Sequence, residues 1–369
     1  MGSRYFRYFI GLSAVLIGLA ANSLSVQAGE KDNGYQANTI ATGLKSPWAL
    51  AFLPNKDLLV TERAGSLRVV RDGTVLKQAV EGVPSVYLAG QGGLLDVMLD
   101  QNFDTNKQIY LSFAYGNRSK NATRLIKASL IPNQDSYRLD DILVLFTAQP
   151  TKSTGHHYGA RIAQMDDGSI LLTVGDGYTH REEAQTLDNH FGKIVRINSD
   201  GSVPQDNPFV DNKNALPEIF SLGHRNQQSL LVHQGVIYEN EHGPRGGDEV
   251  NVINPGNNYG WPVATFGIDY NGATISPFTK YQGMQSPLVD WTPSIAPSGM
   301  TEHKGSLYVT SLAEGSIRKL SYTKNQVKDE GIVFSELSGR LRDIVSGPDG
   351  NLYVLTDGGN AKIVQIIEQ

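Results

Sequence analysis

The chain has 369 residues, with 32 Lys and Arg against 37 Asp and Glu and no cysteine. A net charge of −5 without a basic stripe argues against nucleic acid as a partner, and the lack of thiols excludes disulfides and thiolate chemistry. Stability must come from a large hydrophobic core, for which this length suffices.

Taken in order, the chain opens with Arg4 and Arg7, an apolar run from Ile10 to Ala21, and the small-residue pattern Val26-Gln27-Ala28. This predicts a secretory signal peptide over residues 1–28, cleaved after Ala28, and hence a periplasmic or secreted protein. An uncleaved anchor is the alternative, although the apolar run is short of the roughly 20 residues that span a bilayer. Residues 29–369 then carry 30 basic and 37 acidic side chains.

Beyond Ala28 no long amphipathic helix is evident. One short pattern recurs instead: a polar residue or glycine, alternating aliphatics and aromatics, then Thr, Ser or an acid. It stands at Asp57–Glu62, Gln108–Ser112, Ser169–Thr173, Gly235–Glu239, Ser306–Thr310 and Asn351–Leu355. Most copies are followed by a second strand-like run, such as Ser66–Val70 or Lys362–Ile366. Six β-rich copies punctuated by Gly, Asp and Asn predict an all-β chain: a six-bladed propeller of four-stranded antiparallel blades, one domain over 29–369. Two β-sandwiches are the alternative, but no linker separates them. In a propeller, loops far apart in sequence converge at the channel, so chemistry is sought there.

Five stretches carry unusual chemistry. Gly90-Gln91-Gly92-Gly93 reads as a turn whose amide can face a ligand. In Gly155-His156-His157-Tyr158-Gly159-Ala160-Arg161 the adjacent histidines, if on a strand, point to opposite sides, so only one faces a site. A neutral imidazole there can act as a general base. Zinc is disfavoured, because no spaced third ligand accompanies the pair. Gly223-His224-Arg225-Asn226-Gln227-Gln228 is a polar run that is costly to bury unless a ligand satisfies it. Glu241-His242-Gly243-Pro244-Arg245-Gly246-Gly247-Asp248-Glu249, running on to Asn257–Pro262, suits no regular element. Its glycines can bare carbonyl oxygens and its acids add hard anionic ones, the donors Ca²⁺ prefers; a polar surface loop is the other reading. Finally, Arg340 and Arg342 share a strand face while Leu341 points to the core. Such close guanidiniums call for a poly-anionic ligand, or else for pairing with Asp343 and Glu336.

These motifs, in this order, resemble the soluble PQQ-dependent aldose, glucose and sorbosone dehydrogenases, most closely the periplasmic bacterial aldose sugar dehydrogenases. The likeness runs from Thr42 to Ile367, and Glu241–Pro262 is its most specific part. That family is a six-bladed propeller. The resemblance implies an enzyme that oxidises the anomeric carbon of an aldose to the lactone, passing a hydride to PQQ, with an unidentified electron acceptor downstream; separately, a monomer is expected, with no membrane span after residue 28. It makes His157 the general base, with Arg225 and Asn226 beside the reacting quinone carbonyl. Gln91, Trp291, Ser294, Arg340 and Arg342 would contact PQQ. Main-chain oxygens of Gly243 and Pro244 would hold a catalytic Ca²⁺, and Glu249 with the backbone near Tyr259 a structural one. Two departures stand out. Ala313, followed by Glu314, occupies the place of a PQQ-contacting lysine, for which Lys304, Lys319 or Lys280 could substitute, and Arg225–Ser229 lacks the family's proline. A Ca²⁺-dependent sugar lactonase-type hydrolase and a non-catalytic carbohydrate- or protein-binding propeller are the alternatives. The hydrolase would need several side-chain carboxylates or amides converging on the channel.

Overall fold

A computed structural model describes residues 1–2, 34–323 and 326–368. The expected signal peptide lies outside the described residues apart from Met1 and Gly2. The remainder, from Gly34 to Gln369, forms one compact unit.

Six four-stranded antiparallel sheets make up this unit. Blade 1 comprises Pro47–Phe52, Leu58–Glu62, Ser66–Arg71 and Thr74–Val75; blade 2 comprises Leu94–Leu99, Gln108–Gly116, Asn121–Pro132 and Tyr137–Thr147. Blade 3 is built from Ile162–Gln164, Ile170–Val174, Lys193–Ile197 and Ile219–Leu222, and blade 4 from Gln227–His233, Val236–Glu241, Asp248–Ile253 and Val289–Trp291. Blade 5 runs from Pro297–His303 through Ser306–Ser311 and Ile317–Thr323 to Gln326–Val333. Blade 6 takes Leu341–Ser346, Leu352–Thr356 and Ala361–Glu368 and borrows Tyr35–Leu44 as its outer strand. That pairing of the unit's two ends closes the ring. Helical structure among the described residues is limited to Phe103–Asn106 and a 3₁₀ turn at Arg181–Gln185, and no helix there is long and apolar enough to cross a membrane.

Each copy of the recurring pattern is the second strand of its blade. Both faces of that strand pack on neighbouring blades, which is why its residues read as near-continuous apolar runs rather than an alternation. Leu59, Val60, Ile170, Leu171, Leu172, Leu307 and Val309 are completely shielded from water, each worth about 1.5–3 kcal/mol of burial. The hydroxyl that ends several copies ties one blade to the next. Thr61 Oγ1 donates to the Leu95 carbonyl at 2.5 Å, and Ser112 Oγ to that of Ala160 at 2.5 Å. In blade 4 this position is Glu239, and a fully buried carboxylate replaces the hydroxyl.

The first strand of each blade is innermost and touches its neighbours around the axis. At their meeting point Arg161 of the loop entering blade 3 sits between Asp96 of blade 2 (3.4 Å) and Asp343 of blade 6 (3.1 Å), over the Trp48 ring of blade 1. This buried network pins four blades to one another. It also uses up Asp343, which therefore does not pair with Arg340 or Arg342.

Candidate active site

His157 lies in the loop that leads into Ile162–Gln164, not on a strand, so strand alternation is not what separates it from His156. Its backbone is left-handed, with φ of 51°, a conformation uncommon outside glycine. Two contacts hold it there. The His157 N–H donates to Gln91 Oε1 at 2.7 Å, and Nδ1 lies 2.6 Å from Asp176 Oδ1. His156 is exposed and His157 buried.

Asp176 is braced in turn. Its Oδ2 accepts the indole N–H of Trp261 at 2.8 Å and its Oδ1 the Tyr178 N–H at 2.7 Å. It sits in Gly175-Asp176-Gly177, just past the strand Ile170–Val174. A Cβ at position 175 would lie 2.5 Å from the His157 carbonyl oxygen, so only glycine lets the two segments close. A buried carboxylate can only accept, so the His157 Nδ1 carries the proton and Nε2 keeps its lone pair. Burial pulls the His157 pKa below its ordinary value, with Asp176 opposing and Arg225 adding to the fall. The imidazole is thus neutral and basic at Nε2.

Two cavities are lined by this loop and its neighbours. One of about 370 Å³ is lined by His157, Asp176, Tyr178, Arg225, Pro244, Trp261 and Tyr270. The other, about 310 Å³, is lined by Arg63, Gln91, Asn226, His242, Arg340, Arg342 and Asp357 among others. Consecutive residues line one each: His157 against Tyr158, and Arg225 against Asn226. Both volumes lie in the range of small-molecule sites, roughly 300–1,000 Å³.

The second cavity is rich in positive charge. Arg340 pairs with Asp357 at 2.8 Å, and Arg342 reaches the same carboxylate only at 3.6 Å and Gln228 Oε1 at 3.5 Å. Arg342 Nε is buried without a hydrogen-bond partner among the described residues. Burial, with Arg161, Arg340 and Arg63 nearby, pushes its pKa down to about 10. The two arginines do face one site, as expected, but their carboxylate is Asp357 and not Asp343 or Glu336.

The polar run after Leu222 is buried, and much of it is satisfied within the protein. Arg225 donates from its backbone to Glu241 Oε2 at 3.0 Å, and from Nη1 to the carbonyls of His242 (2.9 Å) and Gly243 (2.7 Å). Gln227 Nε2 donates to the Lys193 carbonyl at 3.1 Å, and Asn226 Oδ1 accepts from the Gly159 N–H at 3.3 Å.

In the Glu241–Glu249 stretch, Asp248 serves as an internal brace: it accepts from Gly243 N at 2.8 Å, Ile295 N at 2.8 Å and Ala296 N at 2.7 Å. Ser294 Oγ accepts from Gly246 N at 2.8 Å and reaches the Pro244 carbonyl at 3.5 Å. Ser294 therefore shapes the loop, and it does not line the arginine cavity. Trp291 is not brought to that cavity either: it is buried in the core of blades 4 and 5, and its indole N–H donates to Asp329 at 2.8 Å. Tyr259 stacks on His224, with ring centroids 4.8 Å apart, and donates its hydroxyl to the Val252 carbonyl at 2.7 Å.

Glu239, Glu241 and Glu249 form a second cluster. Glu239 and Glu241 share a strand face by period two, and Glu241 is the cross-strand partner of Glu249. Ligand atoms of His224, Glu239 and Glu241 all lie within 4.8 Å of one another. Burial, with Glu241 repelling both, raises the carboxyl pKa values of Glu239 and Glu249 well above normal; burial, with Asp176 and Asp248 nearby, pushes that of Glu241 up to about 8 against the Arg225 N–H and charge. Glu239 Oε1 has no hydrogen-bond partner among the described residues. Two carboxylates so placed, with Glu249 beside them across the strand pair, offer the hard oxygens that suit a cation such as Ca²⁺.

The substitutes suggested for the missing lysine are elsewhere. Lys304 pairs with Glu368 at 2.7 Å, Lys319 lies 5.9 Å over the Tyr308 ring, and neither they nor Lys280 line the arginine cavity. Glu314 does not turn on the site: Arg318 holds it at 2.5 Å. Asp176 and Trp261 were not among the expected site residues. The glycines flanking Asp176, directly after a strand, were the available signal.

Comparison with known proteins gives four likenesses. The family model described as glucose/sorbosone dehydrogenase matches residues 44–365. The chain is 37% identical to the aldose sugar dehydrogenase YliI of Escherichia coli K12 over 338 residues, 88% of this chain and 90% of that one. The crystal structure of the soluble aldose sugar dehydrogenase of Escherichia coli in the apo form superposes with a TM-score of 0.87 at 35% identity, covering 91% of this chain and all of that one. The PQQ-bound aldose sugar dehydrogenase of Streptomyces coelicolor gives a TM-score of 0.75 at 27% identity over 90% of this chain and 98% of that one.

Proposed function

The chain belongs to the glucose/sorbosone dehydrogenase family, and from that premise we propose that it oxidises aldose sugars at the anomeric carbon, giving the lactone, with PQQ as hydride acceptor and Ca²⁺ as its companion ion. The observation that carries this reading is the Asp176–His157 pair on the wall of a sugar-sized cleft, with the next residue, Tyr158, on the wall of a cavity that holds three guanidiniums.

PQQ carries three carboxylates, and the arginine cavity fits them: Arg342 has an unpartnered buried Nε, and Arg340 shares its only carboxylate. Gln91 and Asn226 add amides on the same wall. Bound there, PQQ would supply the two-electron acceptor that the side chains lack. A calcium at the Gly243 and Pro244 carbonyls would share the former with Arg225. Two neutral oxygens beside a guanidinium attract a dication weakly, so this ion depends on the carboxylates of the cofactor. The second ion fits Glu249 and the Tyr259 backbone better, because Glu239 and Glu241 add charge beside them.

The roles of the protein's own groups follow. His157 Nε2 takes the proton of the anomeric hydroxyl, and Asp176 stabilises the resulting imidazolium. Trp261 and the Tyr178 N–H keep Asp176 oriented and shielded. Arg225, buried on the wall of the same cavity as His157, favours negative charge developing there. Export by way of the amino-terminal segment belongs to the same proposal. The hydrolase is not favoured: the convergent carboxylates lie buried in blade 4 and line neither cavity.

Purified protein supplied with PQQ, Ca²⁺, a panel of aldoses and a dye acceptor tests the proposal. Sugar-dependent dye reduction is expected, and His157→Ala should abolish it while PQQ binding stays within about threefold. No reduction with any aldose, together with no PQQ binding, ends the proposal.

A further inference from the structure

Resting on the reading of the arginine cavity as the cofactor site, we propose that Arg63 is a cofactor-positioning residue: a third guanidinium of that cavity, which meets an anionic group of the polycarboxylate bound there.

Arg63 follows the strand Leu58–Glu62 at the turn into Ser66–Arg71 of blade 1, far in sequence from Arg340 and Arg342, and lines the same cavity. It is preset rather than loose. Nη2 donates to the carbonyls of Gly90 and, at 2.9 Å, Gly92, and Nε also reaches the Gly92 carbonyl at 3.2 Å. Those carbonyls flank Gln91, whose side chain holds the His157 N–H. The remaining amino group, Nη1, has no hydrogen-bond partner among the described residues. A guanidinium fixed on one edge and free on the other is suited to grip a carboxylate, because little further side-chain freedom is lost on binding.

Charge balance points the same way. Arg63, Arg340 and Arg342 face one carboxylate, Asp357, which Arg340 already holds at 2.8 Å. Arg161 does not relieve the imbalance through a shared acid, since it is matched by its own pair, Asp96 and Asp343. Burial holds the Arg63 pKa below its ordinary value, and Asp357 is the group opposing that fall. Three cations on one anion leave an excess that a poly-anion would neutralise. Ala313 cannot contribute: it is an exposed methyl group beside Leu312, whose carbonyl accepts from Arg340 at 3.4 Å.

The test is calorimetric titration of PQQ into the calcium-loaded full chain at two salt concentrations. Thermal unfolding confirms that each variant folds. Arg63→Gln is expected to weaken binding ten- to a hundredfold and to flatten its salt dependence. Ala313→Lys, placing a cation at the same rim, should recover at least tenfold when added to Arg63→Gln. Affinity of Arg63→Gln within threefold of wild type overturns the proposal. So does a loss that Ala313→Lys leaves unrepaired, which would assign Arg63 to holding the Gln91 loop alone. Absence of PQQ binding by the wild type would refute the proposed function. Arg63 is then decided with a benzene tricarboxylate as probe: the same ranking of variants supports its role, and no difference among them overturns it.

Discussion

Replacing Asp176 by Asn tests how the base is made. The carboxylate accepts three donors: His157 Nδ1 at 2.6 Å, the Tyr178 N–H at 2.7 Å and Trp261 Nε1 at 2.8 Å. An asparagine keeps the shape but turns one oxygen into a donor. If its NH₂ faces Trp261, two donors collide; if it faces His157, the imidazole must move its proton to Nε2 and ceases to be a base. Either way a charge-assisted hydrogen bond is lost, at about 1.5–3 kcal/mol, or roughly 10- to 150-fold in kcat at 1.36 kcal/mol per decade. Stopped-flow dye reduction measures the rate, and PQQ titration separates it from cofactor binding, which should change less than threefold. The pH profile supplies a readout that misfolding would not. Asp176 raises the His157 pKa against the larger effect of burial. The acidic limb of kcat/KM should therefore lie below the ordinary histidine value in the wild type, and move lower still in the variant. A variant with kcat within twofold of wild type, or with its acidic limb moved upward, refutes the reasoning.

The remaining expectations concern the buried acids and the base. Calcium should stabilise the cofactor-free protein by about 2.7 kcal/mol at a hundredfold excess over Kd, and so raise its thermal midpoint. Glu249→Gln should abolish that gain while stabilising the metal-free protein, because it removes one of three repelling carboxyls; calorimetry with and without chelator decides, and an unchanged calcium response would sink the assignment. His157→Gln, which retains a polar side chain, should be as inactive as His157→Ala, and rapid turnover by either would remove the imidazole from the base role.

Much of this architecture can be read without coordinates, for a physical reason. A strand packed on both faces must be apolar throughout, so Leu58–Val60 or Leu352–Leu355 announces itself, and six such runs amount to six blades. The site was legible where chemistry is local. Arg340 and Arg342 share a face because strands have period two, and the glycines of Glu241–Glu249 mark an irregular loop. What depends on distant approach was hidden. The partner of the two arginines, Asp357, comes from the far end of the next strand, and Arg63 enters from blade 1. The left-handed backbone of His157 follows from contacts with Gln91 and Asp176, which no periodicity encodes. Trp291 failed as a cavity residue because its strand turns the ring into the core between blades. The acid cluster leaves a trace in the sequence: Glu239 stands where several other copies place Thr or Ser.

The proposed oxidation requires one proton to leave to His157 while a hydride leaves the anomeric carbon. An anaerobic single turnover, in which the PQQ- and calcium-loaded protein meets an aldose deuterated at C1 and the cofactor absorbance is followed, reads that event directly. One equivalent of cofactor reduced per chain, slowed several-fold by the deuterium and absent in His157→Ala, is the predicted result. Reduction at the same rate with either isotope and in either protein would contradict it.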